Sequence, residues 1–443
     1  MNGNINHVLI LGCGQTGISI GRYLKNNIKI SFYDENKNAL DNAKKLFDNE
    51  KNLFFSGNLE ELSFEGVDYV AISPGIDPSH PVLNKIRKKI KFHNDISLFF
   101  DENELLETKV IAVTGTNGKT TVCKMIEQLS QESGLKAKAV GNIGLPILDF
   151  KNVDTLDVLI IELSSFQLEI LNKAKIDVGI ILNISEDHMD RYNSFSKYLK
   201  AKSKLLDLSR TKIINRDDEK LSSFNNKVNF SFGISEPLKK EDYVIINNDS
   251  GSYIKRGDGL SIELNNFKLI GEHNKLNIMS AIACLKSVFP ELSNLRINNL
   301  KGISHRLEWV KSINGVDFYN DSKATNLDAT ITALKSFNKK NIFLIAGGDS
   351  KGQFLMPLEK FIKKKVLALY LIGQDAHIFE ENFRFIDSLK IKKYKLMLDA
   401  VLSAYKDAEN GDIILLSPAC ASYDMYKNYE ERGNEFKSIV ENL

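Results

Sequence analysis

The chain is predicted to be an α/β protein of three domains built on parallel sheets. Three observations carry that expectation. Apolar runs of strand length alternate with amphipathic stretches nearly throughout, at His7–Gly12, Ile28–Asp34, Tyr69–Ser73, Val110–Gly115, Val158–Ser164, Val178–Ile184, Ile342–Gly347, Leu369–Gly373 and Ile413–Ser417. Several runs end in Gly, Ser or Asp, which places flexible polar residues at the carboxyl ends of strands, where open α/β sheets bind ligands. The length of 443 residues is about three domains' worth, and a hydrophobic content of 43% is ample for several cores.

Composition narrows the function. Lys and Arg number 59 against 57 Asp and Glu, with no long basic block, which argues against a nucleic-acid binder held by phosphate neutralisation. Cys13, Cys123, Cys284 and Cys420 are far apart and form no C-x-x-C pair, so neither a disulfide framework nor a zinc site is suggested, and a reducing cytoplasm fits. Met1 to His7 lack a leader pattern and no run approaches bilayer-spanning length. A soluble cytoplasmic monomer without membrane insertion or nucleic-acid partner is expected.

In chain order, His7–Leu11 breaks into Gly12-Cys13-Gly14-Gln15-Thr16-Gly17, which opens a helix, and the next strand ends at Asp34. This is the spacing of a dinucleotide turn: a backbone able to approach a diphosphate, with an acid available for a hydroxyl. A second turn, Ser73-Pro74-Gly75, follows Tyr69–Ile72 on the same sheet edge. A nucleotide-diphosphate substrate, NAD(P) and a purely structural turn all satisfy this pattern. The candidate contacts are Gly14, Gln15, Thr16, Asp34, Ser73, Pro74 and Gly75. A boundary near Ile96–Leu98 closes the first domain, residues 1–97.

The run Val110–Thr114 then breaks into Gly115-Thr116-Asn117-Gly118-Lys119-Thr120-Thr121, with a helix beginning at the lysine. Small residues let successive amides converge on phosphate oxygens, the helix start adds a favourable dipole, Lys119 reaches the terminal phosphates, and the Thr120 hydroxyl can ligate Mg²⁺. ATP is the expected ligand, although Val113 stands where the strict G-x-x-x-x-G-K-[ST] pattern requires glycine. A turn that merely contains Gly-Lys-Thr is the alternative. The strand Val158–Ile161 ends at Glu162, the natural position for a carboxylate that holds Mg²⁺, or for a helix-capping acid. Asn142 also follows a strand and can present a carbonyl oxygen to a cation. Beyond Val178–Ile184, His188 stands among Glu186, Asp187 and Asp190 and reads as a metal ligand or orienter, or as a lone surface histidine.

From about Asp217 to Leu269, pieces such as Tyr243–Ile246 and Phe267–Ile270 are separated by Asn, Asp, Gly and Ser and predict small antiparallel strands. The helix Lys275–Val288 precedes a boundary near Gly302–Ser304, which closes a central domain of residues 98–303. His305-Arg306 opens the last domain, 304–443, where Asp321-Ser322-Lys323-Ala324-Thr325-Asn326 follows the strand Asp317–Asn320 at a helix start. Helix capping alone also explains Ser322 and Thr325.

Together Thr114 to Thr120, Glu162-Leu163-Ser164-Ser165-Phe166-Gln167-Leu168, Asn183 through His188, Gly271-Glu272-His273-Asn274 with Asn277, His305-Arg306 and Asn320 through Asn326 resemble the Mur ligases. These are ATP-dependent amino-acid ligases of peptidoglycan precursor synthesis, and the resemblance covers the whole chain. Gly347 to Lys351, Ser417 to Ser422 and Glu431 to Phe436 point to the branch that adds D-glutamate.

The resemblance implies a Rossmann-like N-terminal domain for a UDP substrate, a central P-loop ATPase-like domain with a small antiparallel sheet, and a Rossmann-like C-terminal domain for the amino acid. It implies an acid–amino-acid ligase joining D-glutamate to UDP-N-acetylmuramoyl-L-alanine through an acyl phosphate, with Lys119, Glu162, His188 and Lys202 as catalytic residues. Lys202, in Tyr198-Leu199-Lys200-Ala201-Lys202, would carry a CO₂-derived carbamate that helps hold a second Mg²⁺. Without the resemblance, Lys197, Lys200, Lys202 and Lys204 read as a solvated helix face. Thr120, Asn142, Glu162, His188 and Lys202 would surround the metal, and Asn142 and His188 would also meet the UDP substrate. Asn274, Arg306 and Asp321 would contact ATP. Lys323, Thr325, Lys351, Ser422 and Tyr429 would lie around the amino acid and acyl phosphate, with Tyr429 standing where related ligases commonly show Phe. Domain closure is expected to keep water from the acyl phosphate. A sister ligase with another amino acid or a folate-type glutamate donor, and a nucleotide-binding regulator without catalysis, are the rival readings.

Overall fold

The structure, a computed structural model, describes residues 5–24, 28–103, 106–192, 194–264, 271–293, 295–337 and 341–443. The chain divides into two compact units, one of Met1–Asn266 with Leu276–Ile297 and one of Phe267–Lys275 with Asn298–Leu443.

The first unit holds two sheets. Its N-terminal sheet is made of β1 (His7–Leu11), β2 (Lys29–Tyr33), β3 (Leu53–Phe55), β4 (Tyr69–Ile72) and β5 (Lys91–His93), all parallel, in the order β3-β2-β1-β4-β5. The order reverses at β1, so the carboxyl ends of β1 and β4 flank a topological switch point, the usual crevice for a ligand. The Gly12 and Ser73 turns stand at those ends.

The second sheet contains β6 (Lys109–Thr114), β7 (Ala137–Gly141), β8 (Val158–Glu162), β9 (Ile176–Ile181), β10 (Ser209–Asn215), β11 (Phe230–Gly233), β12 (Tyr243–Asn248), β13 (Gly251–Arg256) and β14 (Ser261–Glu263). Their order is β14-β13-β12-β11-β10-β9-β6-β8-β7. Val110, Ile111, Ala112 and Val113 of β6 are all fully buried, as a central parallel strand covered on both faces requires. The small antiparallel strands anticipated for this region are β12, β13 and β14, but they are not a separate sheet. A parallel pairing of Phe232 with Tyr243 and Gly233 with Val244 joins them to the central ladder. The Phe267–Ile270 piece lies outside the described residues.

The second unit carries β15 (Glu308–Ile313), β16 (Val316–Asn320), β17 (Ile342–Gly347), β18 (Val366–Ile372), β19 (Lys390–Lys393) and β20 (Ile413–Leu416), in the order β15-β16-β20-β17-β18-β19. All are parallel except β15.

The sequence reading passed over β3, β5, β10, β15 and β19. β3 is only three residues long, β5 and β19 are short lysine-bearing edge strands, a composition that blunts an edge, and β10 and β15 mix charged and polar residues into the strand, which hides them from an apolar-run search. The helix Asp95–Glu102 spans the Ile96–Leu98 position: Leu98 packs in the N-terminal core, while Ile96, Phe99 and Phe100 pack in the central one. Among the described residues no helix is long and apolar enough to cross a membrane.

Candidate active site

The central sheet delivers a phosphate loop at the end of β6. Gly118 precedes the helix Lys119–Glu132 with φ of 85°, and a Cβ there would stand 3.0 Å from Asn277 Oδ1, so both backbone sign and space call for glycine. The loop is braced from β9. Thr116 N donates to Asn183 O at 2.9 Å, Asn117 N donates to Asn183 Oδ1 at 2.8 Å, and Asn183 Nδ2 donates back to Asn117 O at 3.0 Å. Thr116 Oγ1 accepts from Ser185 N at 3.0 Å and lies 3.0 Å from the Tyr198 hydroxyl. A loop held on both sides keeps its amides in a fixed arrangement, as a phosphate-binding loop requires.

Three of the anticipated metal-site residues meet at one point. Thr120 Oγ1 donates to Glu162 Oε2 at 2.8 Å, and Asn142 Nδ2 donates to Glu162 Oε1 at 3.0 Å. Glu162, at the end of β8, is buried. A hydroxyl, an amide and one carboxylate are hard oxygen donors that suit Mg²⁺, which takes one or two protein ligands and completes its shell with phosphate and water. Among the described residues there is no cluster of three or more His, Cys, Asp or Glu side chains able to hold a metal.

Lys119 and Lys202 point into the loop from opposite sides of the sequence. Lys119 Nζ donates to Gly115 O at 2.9 Å and Thr116 O at 2.8 Å, and Lys202 Nζ donates to Gly115 O at 2.8 Å. Lys202 is buried, not part of a solvated face. In the helix Phe195–Leu208 the inward residues are Tyr198, Ala201, Lys202, Leu205 and Leu206, so the helical stripe that Tyr198, Ala201 and Leu205 define already contained Lys202. Burial, followed by the nearby Lys119 ammonium, holds its amine well below the ordinary lysine range.

The described contacts of His188 run elsewhere. Its ring meets Phe166 edge-on at 4.9 Å between centroids, and its Nε2 lies 3.6 Å from Asp187 Oδ2. Its backbone sits at φ of 55°, an uncommon conformation for a residue with a side chain.

On the N-terminal sheet, Gly17 packs so closely on the preceding turn that a Cβ would stand 1.9 Å from Gly12 O. Ser73 Oγ donates to the same carbonyl at 2.9 Å, joining the two turns. Asp34 caps the turn: Oδ2 accepts from Cys13 N at 2.6 Å and Oδ1 from Asn36 N at 2.8 Å. Gly14 and Gln15 are exposed beside it and Thr16 is half-buried. Ser73 and Pro74, but not Gly75, line a small cleft that also takes in Asn94, Phe166, Gln167 and Arg191.

In the second unit, Asp321 is buried and accepts from Ser417 Oγ at 2.8 Å and Leu307 N at 3.0 Å. Lys323 Nζ stands 3.7 Å over the Tyr429 ring. Arg306 and Thr325 are half-buried and Ser422 is buried. Lys351 is exposed with φ of 50°. Asn274 is buried near the start of the helix Glu272–Val288. Sequence reading assigned no role to Arg432, which is buried and ties two candidate loops together: Nε and one Nη reach Ser322 Oγ at 3.0 Å and Ser322 O at 2.8 Å, and both Nη groups reach Cys420 O. Asn183, Phe166 and Arg191 went unassigned likewise.

Residues 6–91 match the Mur ligase MurD-like N-terminal domain, residues 113–285 the Mur ligase middle domain, and residues 305–420 the Mur ligase glutamate ligase domain. UDP-N-acetylmuramoylalanine–D-glutamate ligase of Nitrosomonas europaea is 34% identical over 462 residues, covering 99% of this chain and 97% of that one. The protein of the same name from Methylobacillus flagellatus is 35% identical over 445 residues, covering 98% and 97%. Among solved structures, MurF ligase from Thermotoga maritima in complex with ADP superposes with a TM-score of 0.63 at 16% identity, covering 99% of this chain and 96% of that one. A pseudomurein peptide ligase type C from Methanothermus fervidus gives 0.59 at 17% identity, covering 99% of each chain. At these identities the two structures share a fold with this chain.

Proposed function

Because the chain belongs to the Mur ligase family, we propose that Lys119, Glu162, His188 and Lys202 carry its chemistry. The chain is an ATP-dependent ligase that joins D-glutamate to UDP-N-acetylmuramoyl-L-alanine in peptidoglycan precursor synthesis. One observation carries the assignment of residues: Thr120 and Asn142 converge on the Glu162 carboxylate beside a braced phosphate loop.

The substrate carboxylate attacks the γ-phosphorus of ATP, giving an acyl phosphate and ADP. The amine of D-glutamate then attacks the acyl carbon, loses a proton, and phosphate leaves. Such chemistry asks the protein mainly for positioning and charge neutralisation. The amides of Gly115 to Thr121 cradle the phosphates, and Lys119 leaves its loop carbonyls to meet the transferred group. Thr120, Asn142 and Glu162 would hold Mg²⁺, which when bound would offset the charge of the phosphates. A second Mg²⁺ is assigned to His188 and a carbamate on Lys202. The low-lying amine of Lys202 supports this, since the neutral form is the one that reacts with CO₂.

Gly14, Gln15, Thr16, Asp34, Ser73, Pro74 and Gly75 are assigned to the uridine diphosphate part of the substrate, with Asn142 and His188 toward its reacting end. Asn274, Arg306 and Asp321 are assigned to ATP. Lys351 is assigned to one carboxylate of D-glutamate, with Thr325 and Ser422 at the other and Lys323 and Tyr429 beside the acyl phosphate. The corresponding division is 1–97 for the UDP substrate, 98–303 for ATP and 304–443 for the amino acid. The enzyme is proposed to act as a cytoplasmic monomer on small-molecule substrates.

ADP release is measured with UDP-N-acetylmuramoyl-L-alanine and a panel of amino acids. Turnover with D-glutamate and little with L-glutamate, D-alanine or L-lysine is expected. Comparable turnover with L-lysine, meso-diaminopimelate or L-alanine would move the chain to a sister specificity, and ATP binding without ADP release would remove the enzymatic reading.

A further inference from the structure

Arg191 stands in the short helix Met189–Tyr192, just after His188, and reaches back to the N-terminal sheet. Its guanidinium carbon lies 3.6 Å from the centroid of the Phe166 ring, one Nη donates to Pro74 O at 2.8 Å, and the other lies 3.4 Å from Glu169 Oε2. Nε has no hydrogen-bond partner among the described residues, Asp77 Oδ1 being 3.7 Å away. The side chain is only 11% exposed. On the same Phe166 ring rests the edge contact of His188, 4.9 Å between centroids.

This single side chain therefore joins the Ser73-Pro74-Gly75 turn after β4 to the aromatic support of His188. Arg87 and Asn94 also reach the helix Ser165–Ile170, but they meet its backbone, at Glu169 O (3.2 Å) and Gln167 O (2.8 Å). A flat cation laid on a ring while its fork bridges a carbonyl and a carboxylate uses the planar geometry that lysine lacks.

We propose that Arg191 is a positioning residue that sets the register between the Ser73–Gly75 turn and His188, and so between the two ends of the UDP substrate. The inference rests on the ligase reading, in which one end of that substrate lies on the N-terminal turns and the other reacts at the phosphate loop. A misplacement of about 1 Å at a reacting centre is enough to cost on the order of 100-fold in rate. Arg191 acts through the turn and the ring, not on the reacting atoms.

The test is steady-state ADP release by Arg191→Leu and Arg191→Lys, with urea unfolding in parallel. In Arg191→Leu the KM for UDP-N-acetylmuramoyl-L-alanine is expected to rise ~10-fold and kcat to fall ~10-fold, while the KM for ATP moves by less than ~2-fold. Arg191→Lys keeps a cation over Phe166 but cannot bridge both acceptors, so a rise of at least ~3-fold in the same KM is expected. Should the Leu variant not fold, the Lys variant decides alone. Lowered stability with unchanged KM for the UDP substrate and unchanged kcat would make Arg191 a packing residue and overturn the inference, leaving the ligase reading intact. A parent enzyme that releases no ADP with its substrates would overturn both.

Discussion

Lys202 Nζ lies 2.8 Å from Gly115 O, the carbonyl that also accepts from Lys119 Nζ at 2.9 Å. Two amines on one carbonyl deep in a loop cannot both stay comfortably charged, and the buried one yields: desolvation first and Lys119 second drive the Lys202 pKa down. On the proposed role of Lys202, the free amine would attack CO₂, forming an N–C bond and releasing one proton. A carbamate signal from ¹³C-bicarbonate is expected by NMR in the parent and absent in Lys202→Arg, whose kcat should fall at least ~100-fold. A fully active Lys202→Arg enzyme would remove the carbamate from the mechanism.

The clamp from Asn183 to Asn117 is expected to matter for nucleotide affinity. Asn183→Ala deletes two hydrogen bonds and leaves the Asn117 amide and carbonyl without those partners, at a cost of about 1–3 kcal/mol for each group left unsatisfied. The KM for ATP should rise ~10-fold with little change in that for the UDP substrate. Equal effects on both would point to general unfolding instead.

Tyr429 holds Lys323 through its ring face, 3.7 Å from the ammonium. Tyr429→Phe keeps that face and should leave kcat within ~2-fold, whereas Tyr429→Leu removes a cation–π contact of about 0.5–2 kcal/mol and should lower kcat/KM for D-glutamate ~5-fold. A Phe variant as impaired as the Leu variant would transfer the role to the hydroxyl.

Asp321 supplies a pH signature. Burial raises its carboxyl to about 7, against the donations from Ser417 and Leu307. The folded state thus retains a proton that the unfolded chain releases near pH ~4. Its contribution to stability is full below that value, is lost progressively as pH rises to about 7, and stays lost above. Asp321→Asn remains neutral, so the parent-minus-variant difference in unfolding free energy should fall between pH ~4 and ~7 and then level off. A difference flat with pH would show that the carboxyl is already ionised throughout.

Much of the architecture was legible because it is written locally. The buried run Val110 to Val113, the glycines and the lysine at a helix start are neighbours in the chain, and so are the pieces of the Gly12–Gly17 turn. Most central strands of the three sheets, such as β1, β6 and β17, announce themselves as apolar runs for the same reason. The edge strands β3, β5 and β19 do not, since β3 is apolar but only three residues long and β5 and β19 are short and carry lysine. Lys202 is an intermediate case: its place on the inward stripe of the helix Phe195–Leu208 was readable as periodicity, but the carbonyl it faces was not.

The sequence by itself determined that a glycine loop before a helix starting at Lys119, a strand-end carboxylate and the Gly12–Gly17 turn exist, because each is a short pattern whose backbone demands only a few residue types meet. Only the tertiary structure decided that Thr120 and Asn142 share Glu162, that Asn183 clamps Asn117 across 66 residues, and that Arg432 ties Ser322 to Cys420 across 110 and 12. Those are pairings of single polar side chains over long loops. Nothing near either partner in the chain marks them, and only folding of the whole sheet brings donor and acceptor within reach.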